Sequence, residues 1–381
     1  MIYLDYNATT PLDPRVLEAM LPFFRDRFGN AASRSHGFGK DAAGAVETAR
    51  EQAATVIGAK PEEITWTSGA TESNNLAIKG VAAAPAYVQK GKHLITVATE
   101  HRAVLDVCDR LENEGCTLTV LGVDGRGSID LDRLARAITD QTILVSVMHA
   151  NNETGVLHPI REIGRLCRDR GVLFHTDATQ SYGKVPIDVD ADFVDLLSAS
   201  AHKFCGPKGT GLLYVRRRNP RVRCEPVLHG GGHEQGLRSG TLNVPGIVGF
   251  GTAAALCLQD GPSEQPRFRV LRDRLEKGLA GRLDGVQVNG HPEQRLAHTT
   301  NLSFAGVDAD ALMKAVPEVA VSSSAACTSA LMQPSYVLGA LGCDEDRIKG
   351  SLRFSLGRFT TEAEIDEAVD ALAREAKRLR K

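Results

Sequence analysis

The distribution of apolar and polar residues divides the chain into short continuous apolar runs and longer amphipathic segments. The apolar runs predict buried β-strands at 64–67, 93–99, 116–123, 142–149, 172–176 and 193–198. Between them, apolar residues at helical spacing predict helices that include 102–114, 130–139 and 159–170. Continuous apolar strands that alternate with amphipathic helices are typical of a mostly parallel sheet covered on both faces. The pattern therefore predicts an α/β fold.

Two more helices are predicted before the first of these strands. Asp13 suits the N-cap and Pro14 the first turn of one helix, whose apolar face would include Val16, Phe24 and Phe28. The other helix carries Ala42, Val46, Ala49, Ala53, Val56 and Ile57 on one face. Gly58 is expected to end it.

The order of elements changes after residue 260. A predicted helix at 243–259 is followed by 260–266, which contains one glycine and two prolines and is interpreted as a linker. Beyond it the pattern predicts three helices, at 267–283, 308–315 and 334–341, and strands near 286–289, 299–304, 319–323 and 351–356. Thr361 and Glu364 form a capping box at the start of a last helix. We therefore expect a large domain at 14–261 and a smaller α+β domain formed by 1–13 and 262–381.

Composition and charge exclude several classes of protein. A chain of 381 residues with a formal net charge of -2 offers no excess of positive charge for nucleic acid or an anionic membrane. No apolar run approaches the roughly 20 residues that span a bilayer, and the N-terminus shows no secretory signal. We expect a cytoplasmic protein. The eight cysteines form no Cys-x-x-Cys pair, which disfavours zinc and dithiol redox chemistry. Cys108 and Cys167 fall at apolar helical positions, so we expect both to be buried in the core.

Four polar clusters follow predicted strands, where ligands bind in parallel sheets. Thr71 begins a helix whose N-terminus could bind a phosphate, and His101 could stack on a flat ring or transfer a proton. Asp177 with Gln180 could bind a heterocycle that carries a protonated nitrogen. Lys203 offers an amine at the end of strand 193–198. Each cluster alone is also explained as a cap or a surface turn. Together they fit pyridoxal 5'-phosphate (PLP), whose enzymes use a Schiff-base lysine and a carboxylate partner for the pyridine nitrogen.

Two loops carry further candidate chemistry. The segment 229–241 contains three consecutive glycines and ends in Arg238, Ser239, Gly240 and Thr241, which suits an anion better than a metal. Cys327 lies among serines and alanines in 322–330, so it is either a turn cysteine or a nucleophile on a loop.

With these residues assembled, the chain resembles the group I cysteine desulfurases, the NifS/IscS-like branch of the class V aminotransferases, which are fold type I PLP-dependent transferases. The resemblance covers almost the whole chain in the family's order. It rests on the stretches 3–10, 67–73, 99–101, 149–153, 177–180, 201–203, 229–241 and 322–329, and on Arg353.

The resemblance implies a role for each matching residue. Lys203 would carry the cofactor, Asp177 would pair with its pyridine nitrogen, His101 would stack on its ring, and Gln180 and Asn152 would contact its oxygen side. The phosphate would be held by four residues of this chain and one of a partner subunit in a homodimer, namely Ala70, Thr71, Ser200, His202 and the partner's Thr241. Arg353 would bind the carboxylate of L-cysteine, and Asn152 would also contact the substrate. Cys327 would take up sulfur as a persulfide, so that alanine is released, with His101 and Lys203 carrying protons. Sulfur would pass to an acceptor protein such as an iron–sulfur scaffold.

The chain departs from the family pattern in two places. Ser324, Ala325 and Ala326 stand where the family usually has Gly-Ser-Ala, and the chain ends at Lys381, before the longer tail that helps relatives to dock a scaffold. Two alternatives stay open at this point. One is a related PLP lyase or aminotransferase, such as a selenocysteine lyase, and the other is a non-catalytic sulfur relay.

Overall fold

A computed structural model of the chain describes residues 1–323 and 334–380. The elements of its first part are, in chain order, β1 (Ile2–Tyr3), α1 (Pro14–Met20), α2 (Pro22–Arg25), α3 (Gly37–Thr55), β2 (Ile64–Thr67), α4 (Ala70–Ala83), α5 (Pro85–Val88), β3 (His93–Val97), α6 (Arg102–Asn113), β4 (Thr117–Leu121), α7 (Leu131–Ala137), β5 (Thr142–Ser146), α8 (Ile160–Asp169), β6 (Leu173–Asp177), β7 (Leu196–Ser200) and β8 (Gly211–Val215). The second part contains α9 (Val244–Ala280), β9 (Val286–Val288), β10 (Thr299–Phe304), α10 (Ala309–Ala315), β11 (Val319–Ala320), β12 (Ser322–Ser323), α11 (Tyr336–Ala340), α12 (Glu345–Lys349), β13 (Ser351–Ser355) and α13 (Glu362–Leu379).

A seven-stranded sheet in the order β2-β8-β7-β6-β5-β3-β4 forms the centre of the first part. Strand β8 runs antiparallel to both its neighbours, and the other adjacent pairs are parallel. The register places Asp177 opposite Ser198 and Ser200 opposite Gly211. The predicted mostly parallel sheet is confirmed, and its register brings polar residues of β6 and β7 to the same edge.

Successive residues of the central strands pack into different hydrophobic clusters, as expected for a sheet covered on both faces. Leu144 and Leu196 belong to one cluster, and their neighbours Val145 and Leu197 to the other. The predicted burial of Cys108 and Cys167 is confirmed, because each sits in one of these clusters. The strands are therefore apolar throughout because neither face meets solvent.

A third hydrophobic cluster lies in the second part of the chain. It joins Ile2 and Leu4 of the N-terminal segment to Phe304, Leu352 and other apolar residues of the elements that follow α9. These elements include a four-stranded antiparallel sheet in the order β12-β13-β10-β9, while β1 pairs with β11 in a separate parallel pair. The segment that begins the chain therefore packs with its C-terminal part.

The predicted linker at 260–266 is wrong, because α9 runs through it without interruption from Val244 to Ala280. Pro262 and Pro266 lie inside this helix with exposed rings. Its first half packs into the core of the large sheet and its second half into the third cluster. This packing, with the ion pair between Glu264 and Arg358, outweighs the local preference of proline and glycine against helix.

Two local predictions are also corrected. Helix α1 ends at Met20, and Phe24 and Phe28 are 60% and 66% exposed, so they do not continue its buried face. Strand β7 begins at Leu196 and not at 193, because Phe193 has a φ of 55°, which belongs to a turn. The domain boundaries stay a prediction. No helix among residues 1–323 and 334–380 is long and apolar enough to cross a membrane.

Candidate active site

A cavity of about 600 Å³ opens where β6 and β7 end and α4 begins. It brings together ten of the predicted site residues: Ala70, Thr71, His101, Asn152, Asp177, Gln180, Ser200, His202, Lys203 and Arg353. Two predicted residues are not part of this set. Thr241 is exposed and does not line the cavity, and Cys327 lies in 324–333, outside the described residues.

Lys203 ends a single 3-10 turn, Ala201–Lys203, that follows directly on β7. Its Nζ donates hydrogen bonds to the carbonyl oxygens of Asn7 at 2.6 Å and Ala8 at 2.9 Å. Desolvation, with the positive charges of Arg353 and Lys184, lowers the pKa of Lys203 to about 8. An amine with this pKa is neutral in a useful fraction of molecules near neutral pH, as a nucleophile requires.

Asp177 is the last residue of β6 and is 4% exposed. Its two carboxylate oxygens accept hydrogen bonds from the Thr179 backbone N–H at 2.9 Å and from Asn74 Nδ2 at 2.7 Å. These contacts fix the carboxylate at the cavity wall. A buried carboxylate in this position suits a cationic partner, such as a protonated ring nitrogen.

His101 caps the N-terminus of α6, where its Nδ1 accepts a hydrogen bond from the Ala103 N–H at 3.1 Å. The acceptor role of Nδ1 places the ring proton on Nε2 in the neutral tautomer. Burial lowers the pKa of His101, and the charge of Asp177 opposes this shift. The ring is therefore neutral near pH 7, and its flat face can stack against another ring.

The polar side of the cavity contains amide oxygens that have no hydrogen-bond partner within the described residues. They are Oε1 of Gln180 and Oδ1 of Asn152, both shielded from solvent. Gln180 is oriented from behind, because its Nε2 donates to the Asn7 carbonyl oxygen at 3.0 Å. An oxygen shielded from solvent destabilises the folded state unless a donor pairs with it. A bound molecule with hydroxyl or N–H groups therefore fits this side.

The other end of the cavity is built around the start of α4. Gly69 caps the helix with a φ of 157°, and a Cβ on Gly211 would lie 2.5 Å from the Cα of Gly69. Only glycine allows β8 to approach the helix this closely. The free N–H groups of the first turn, together with Ser200 and His202, form a cradle that suits a phosphate.

Arg353 on β13 lines the same cavity but is already engaged. Its Nη2 lies 2.7 Å from Asp5 Oδ1 and 3.0 Å from Ser322 Oγ, and its Nη1 donates to the Asn152 carbonyl oxygen at 3.1 Å. A substrate carboxylate at this guanidinium would therefore share or replace the contact with Asp5. The arginine also links the second part of the chain to the wall of the cavity.

The loop that carries Thr241 is attached to helices α3 and α4 by two ion pairs and to strand β2 by a hydrogen bond. Glu234 accepts from Arg50 at 2.8 and 2.9 Å and from the Trp66 N–H at 2.8 Å. Arg238 donates to Glu72 at 2.8 Å, and the other oxygen of Glu72 accepts from the Ser68 N–H at 2.7 Å. Glu72 itself lines the cavity, so this loop is connected to the end of the site where α4 begins.

Four observations of the cavity fit PLP: an amine of lowered pKa, a fixed carboxylate, a helix N-terminus, and amide oxygens that have no partner among the described residues. Sequence reasoning gave no role to Asn7 or Glu72. The Asn7 carbonyl oxygen accepts hydrogen bonds from Lys203 and Gln180, and Glu72 pairs with Arg238. Both lie inside the matching stretches 3–10 and 67–73, which was the only signal available for them.

Comparisons with known proteins agree with this geometry. The family model described as aminotransferase class-V matches residues 2–368. Proteins named cysteine desulfurase IscS are similar over the whole chain: one from Anaeromyxobacter sp. (strain Fw109-5) is 58% identical and covered over 93% of its length, and one from Rickettsia felis (strain ATCC VR-1525 / URRWXCal2) is 52% identical and covered over 92%. A solved structure titled NifS-like protein superposes with a TM-score of 0.92 at 37% identity, covering 99% of this chain and 100% of the other. The chain therefore belongs to the class V aminotransferases of fold type I and, within them, to the IscS/NifS-like cysteine desulfurases.

Proposed function

We propose that this chain is a PLP-dependent cysteine desulfurase that converts L-cysteine to L-alanine and takes up the sulfur on Cys327. The observation that carries the proposal is the cavity in which the Lys203 amine, of lowered pKa, shares one space with the Asp177 carboxylate and the His101 ring. The relatives that are 52% and 58% identical are named for this activity.

The cavity residues divide into groups by the part of PLP that each would hold. Lys203 would attach it covalently, Asp177 would pair with its ring nitrogen, and His101 would stack on its face. Gln180 and Asn152 would offer their unpaired oxygens to its polar edge, and Ala70, Thr71, Ser200 and His202 would bind its phosphate. Bound PLP would supply an electron sink, because the Asp177 carboxylate favours the protonated ring nitrogen.

The substrate would be oriented by Arg353, whose guanidinium suits the carboxylate of L-cysteine. The Cys327 thiolate would attack the substrate sulfur, so that a sulfur–sulfur bond forms and the carbon–sulfur bond breaks. The electron pair of the broken bond would remain with carbon, which takes up one proton and becomes the methyl group of L-alanine. His101, through Nε2–H, and Lys203 are the proton carriers that the cavity offers.

Four further features belong to this proposal. The large domain would comprise 14–261, and the small domain 1–13 with 262–381. A homodimer would place Thr241 at the phosphate of the partner's cofactor. The persulfide sulfur would pass to an acceptor protein, such as an iron–sulfur scaffold. The protein would act in the cytoplasm. The separate hydrophobic clusters on either side of the middle of α9 support the two-domain division.

Incubation of the purified protein with L-cysteine and PLP tests this function. We expect equal amounts of alanine and transferable sulfur, and a mass gain of one sulfur atom on the peptide that contains Cys327. Cys327→Ala should keep the absorbance of the bound cofactor and lose sulfur release. Full sulfur release by this variant would contradict the role of Cys327.

Two other outcomes would replace the proposal. A protein that stays colourless with added PLP but exchanges persulfide sulfur would be a sulfur relay. A strong preference for selenocysteine over cysteine would make it a selenocysteine lyase. Lys203→Ala is the control that distinguishes these outcomes from a failed preparation. Borohydride should fix PLP covalently to the wild-type chain but not to this variant.

A further inference from the structure

A second and smaller cavity, of about 40 Å³, lies next to Lys203. Lys203 lines both spaces. The other ionisable residues that line the small cavity are Tyr6, Lys184, Cys205, Cys257, Glu264, His298 and Arg358. Lys184 belongs to the turn that follows β6, so the strand that ends in Asp177 leads directly to this second amine.

A short chain of polar contacts joins the two lysines. Lys184 Nζ lies 3.3 Å from His298 Nε2, which in turn lies 3.2 Å from Asn7 Oδ1. The backbone carbonyl of the same Asn7 accepts the hydrogen bond from Lys203 Nζ at 2.6 Å. Asn7 is 1% exposed and is held at its N–H by Ser355 Oγ at 2.8 Å. The two amines are therefore separated by only two buried residues, His298 and Asn7.

Among the described residues, the ammonium of Lys184 has no carboxylate partner of its own. Glu264 lines the same small cavity, but it is paired with Arg358. Within residues 1–323 and 334–380, no Asp or Glu oxygen forms an ion pair with its Nζ, and its partner is an imidazole nitrogen. Desolvation lowers the pKa of Lys184 to about 8. The neighbouring thiols do not supply the missing negative charge near pH 7, because burial raises the pKa of Cys257 to about 12 and raises that of Cys205. A partly buried cation in such surroundings contributes little to stability, so its presence calls for another explanation.

We propose that Lys184 is a positioning residue for Lys203, which keeps that amine ready to lose its proton by placing a second positive charge near it. The proposal rests on the proposed function, in which Lys203 attaches PLP. Lys184 does not touch the cofactor or the substrate in this scheme. It acts through its charge, and the contact of its Nζ with His298 Nε2 at 3.3 Å holds it in place.

The balance of charges around Lys203 explains why a second cation matters. Beyond desolvation, Arg353 and Lys184 lower the pKa of Lys203, whereas Asp177 and Asp5 raise it. The imidazoles that face the two lysines add little charge, because burial lowers the pKa of His101, His202 and His298. Without Lys184, the two carboxylates would be opposed chiefly by Arg353, which is already paired with Asp5. Lys208 is a further cation in the lining of the main cavity. Like charges in a poorly solvated site each favour the neutral form of the other.

The test measures the titration of Lys203 itself in the full-length, cofactor-free chain. Trace acetylation with acetic anhydride is followed by mass spectrometry of the Lys203 peptide across neutral and alkaline pH. In Lys184→Met we expect the pKa of Lys203 to rise by roughly 0.5 to 1 unit, which leaves about 3 to 10 times less neutral amine near pH 7. The two lysines titrate in the same range in the wild type, so the titration of Lys203 should also become steeper in the variant.

Two variants serve as controls. Lys184→Arg keeps the positive charge and should leave the titration of Lys203 close to wild type. Lys90→Met removes another partly buried lysine, whose Nζ donates to the Gly171 carbonyl oxygen at 2.7 Å, away from both cavities. It should change nothing at Lys203. If Lys184→Met does not fold, Lys184→Gln removes the same charge with a polar side chain.

The outcomes separate this proposal from the function on which it rests. An unchanged Lys203 titration in folded Lys184→Met, with the same rate of cofactor attachment, would overturn the role of Lys184 alone. Borohydride fixation of PLP to a peptide other than that of Lys203 would overturn the proposed function, whatever the titration shows. A large loss of stability with no change in titration would make Lys184 a structural residue and would also overturn the proposal.

Discussion

Glu153 shows how a single carboxyl group next to the site is affected by its surroundings. It follows Asn152, which lines the cavity, and its Oε2 accepts a hydrogen bond from Ser335 Oγ at 2.6 Å. Desolvation raises the pKa of Glu153 to about 7, although the Ser335 hydroxyl and the charge of Arg353 oppose the shift. The carboxyl is thus protonated in part of the molecules near neutral pH, next to the segment that precedes α11.

This shift gives a prediction for stability. In an unfolded chain the carboxyl ionises near its usual pKa, whereas the folded chain holds the proton until about pH 7. The folded state therefore binds more protons between these values, and the free energy of unfolding should fall as pH rises from about 4.5 to 7. The loss should not exceed about 2 kcal/mol, because the side chain is only partly buried.

Urea unfolding of wild type and Glu153→Gln at several pH values measures this effect. Glutamine keeps an oxygen that can accept from Ser335 but cannot ionise, so the variant should lack this part of the pH dependence. Equal pH dependence of the two proteins would show that the proton is not held at Glu153.

At the scale of elements, the loop 229–241 depends on contacts outside itself. Glu234 and Gln235 both have positive φ values, of 50° and 59°, which non-glycine residues adopt only when their surroundings enforce them. The enforcement comes from Arg50 on α3, whose side chain is 9% exposed and whose partner Glu234 is 3% exposed. This ion pair thus fixes the path of the loop against the large sheet.

Arg50→Met should destabilise the protein by roughly 3 to 5 kcal/mol, because it leaves the Glu234 carboxylate shielded from solvent with the Trp66 N–H as its one remaining partner among the described residues. The double variant Arg50→Met/Glu234→Met removes the isolated charge and should be less destabilised than the sum of its single changes. Urea unfolding of the four proteins of this cycle measures the coupling. Arg27→Met is the control, since its pair with Asp41 is exposed and should contribute no more than about 1 kcal/mol.

Sequence patterns predicted the helices and strands that are determined by residues close together in the sequence. The parallel strands were found because both faces are buried, so that every position from Leu173 to Asp177 is shielded. Helix α9 was divided wrongly because Pro262 and Pro266 act against helix locally, while the packing of residues such as Phe250 and Leu275 into two cores acts at long range. The pairing of β1 with β11 was missed for the same reason, since it joins residues more than 300 positions apart.

Sequence patterns indicated the candidate site to a similar extent, and they missed residues whose importance depends on long-range contacts. The residue types that carry chemistry, such as Lys203 and Asp177, follow strands and can be recognised one by one. Asn7 could not be recognised, because its importance arises from contacts with Gln180, Lys203 and His298, which are distant in sequence. A buried asparagine near an N-terminus has no local pattern that distinguishes it from a turn residue.

At the scale of the whole molecule, one predicted residue lies apart from the cavity that it is expected to serve. Thr241 is exposed and does not line the cavity of its own chain, although Arg238 of the same loop contacts Glu72 at the cavity wall. A homodimer in which each Thr241 reaches the phosphate site of the other subunit would account for this position. In that arrangement, each active site would be made from two chains.

Mixing two inactive variants distinguishes a shared site from a site within one chain. Thr241→Glu would place a carboxylate against the phosphate and so weaken PLP binding, and Lys203→Ala would remove the attachment point. If Thr241 acts across the dimer, a mixed dimer has one complete site, on the subunit that carries Thr241→Glu, because its own Lys203 is intact and its neighbour supplies a normal Thr241. Random exchange of equal amounts should then restore about a quarter of wild-type alanine production. If Thr241 serves its own chain, both sites of every mixed dimer carry a defect, and mixing should restore no activity beyond that of the separate variants.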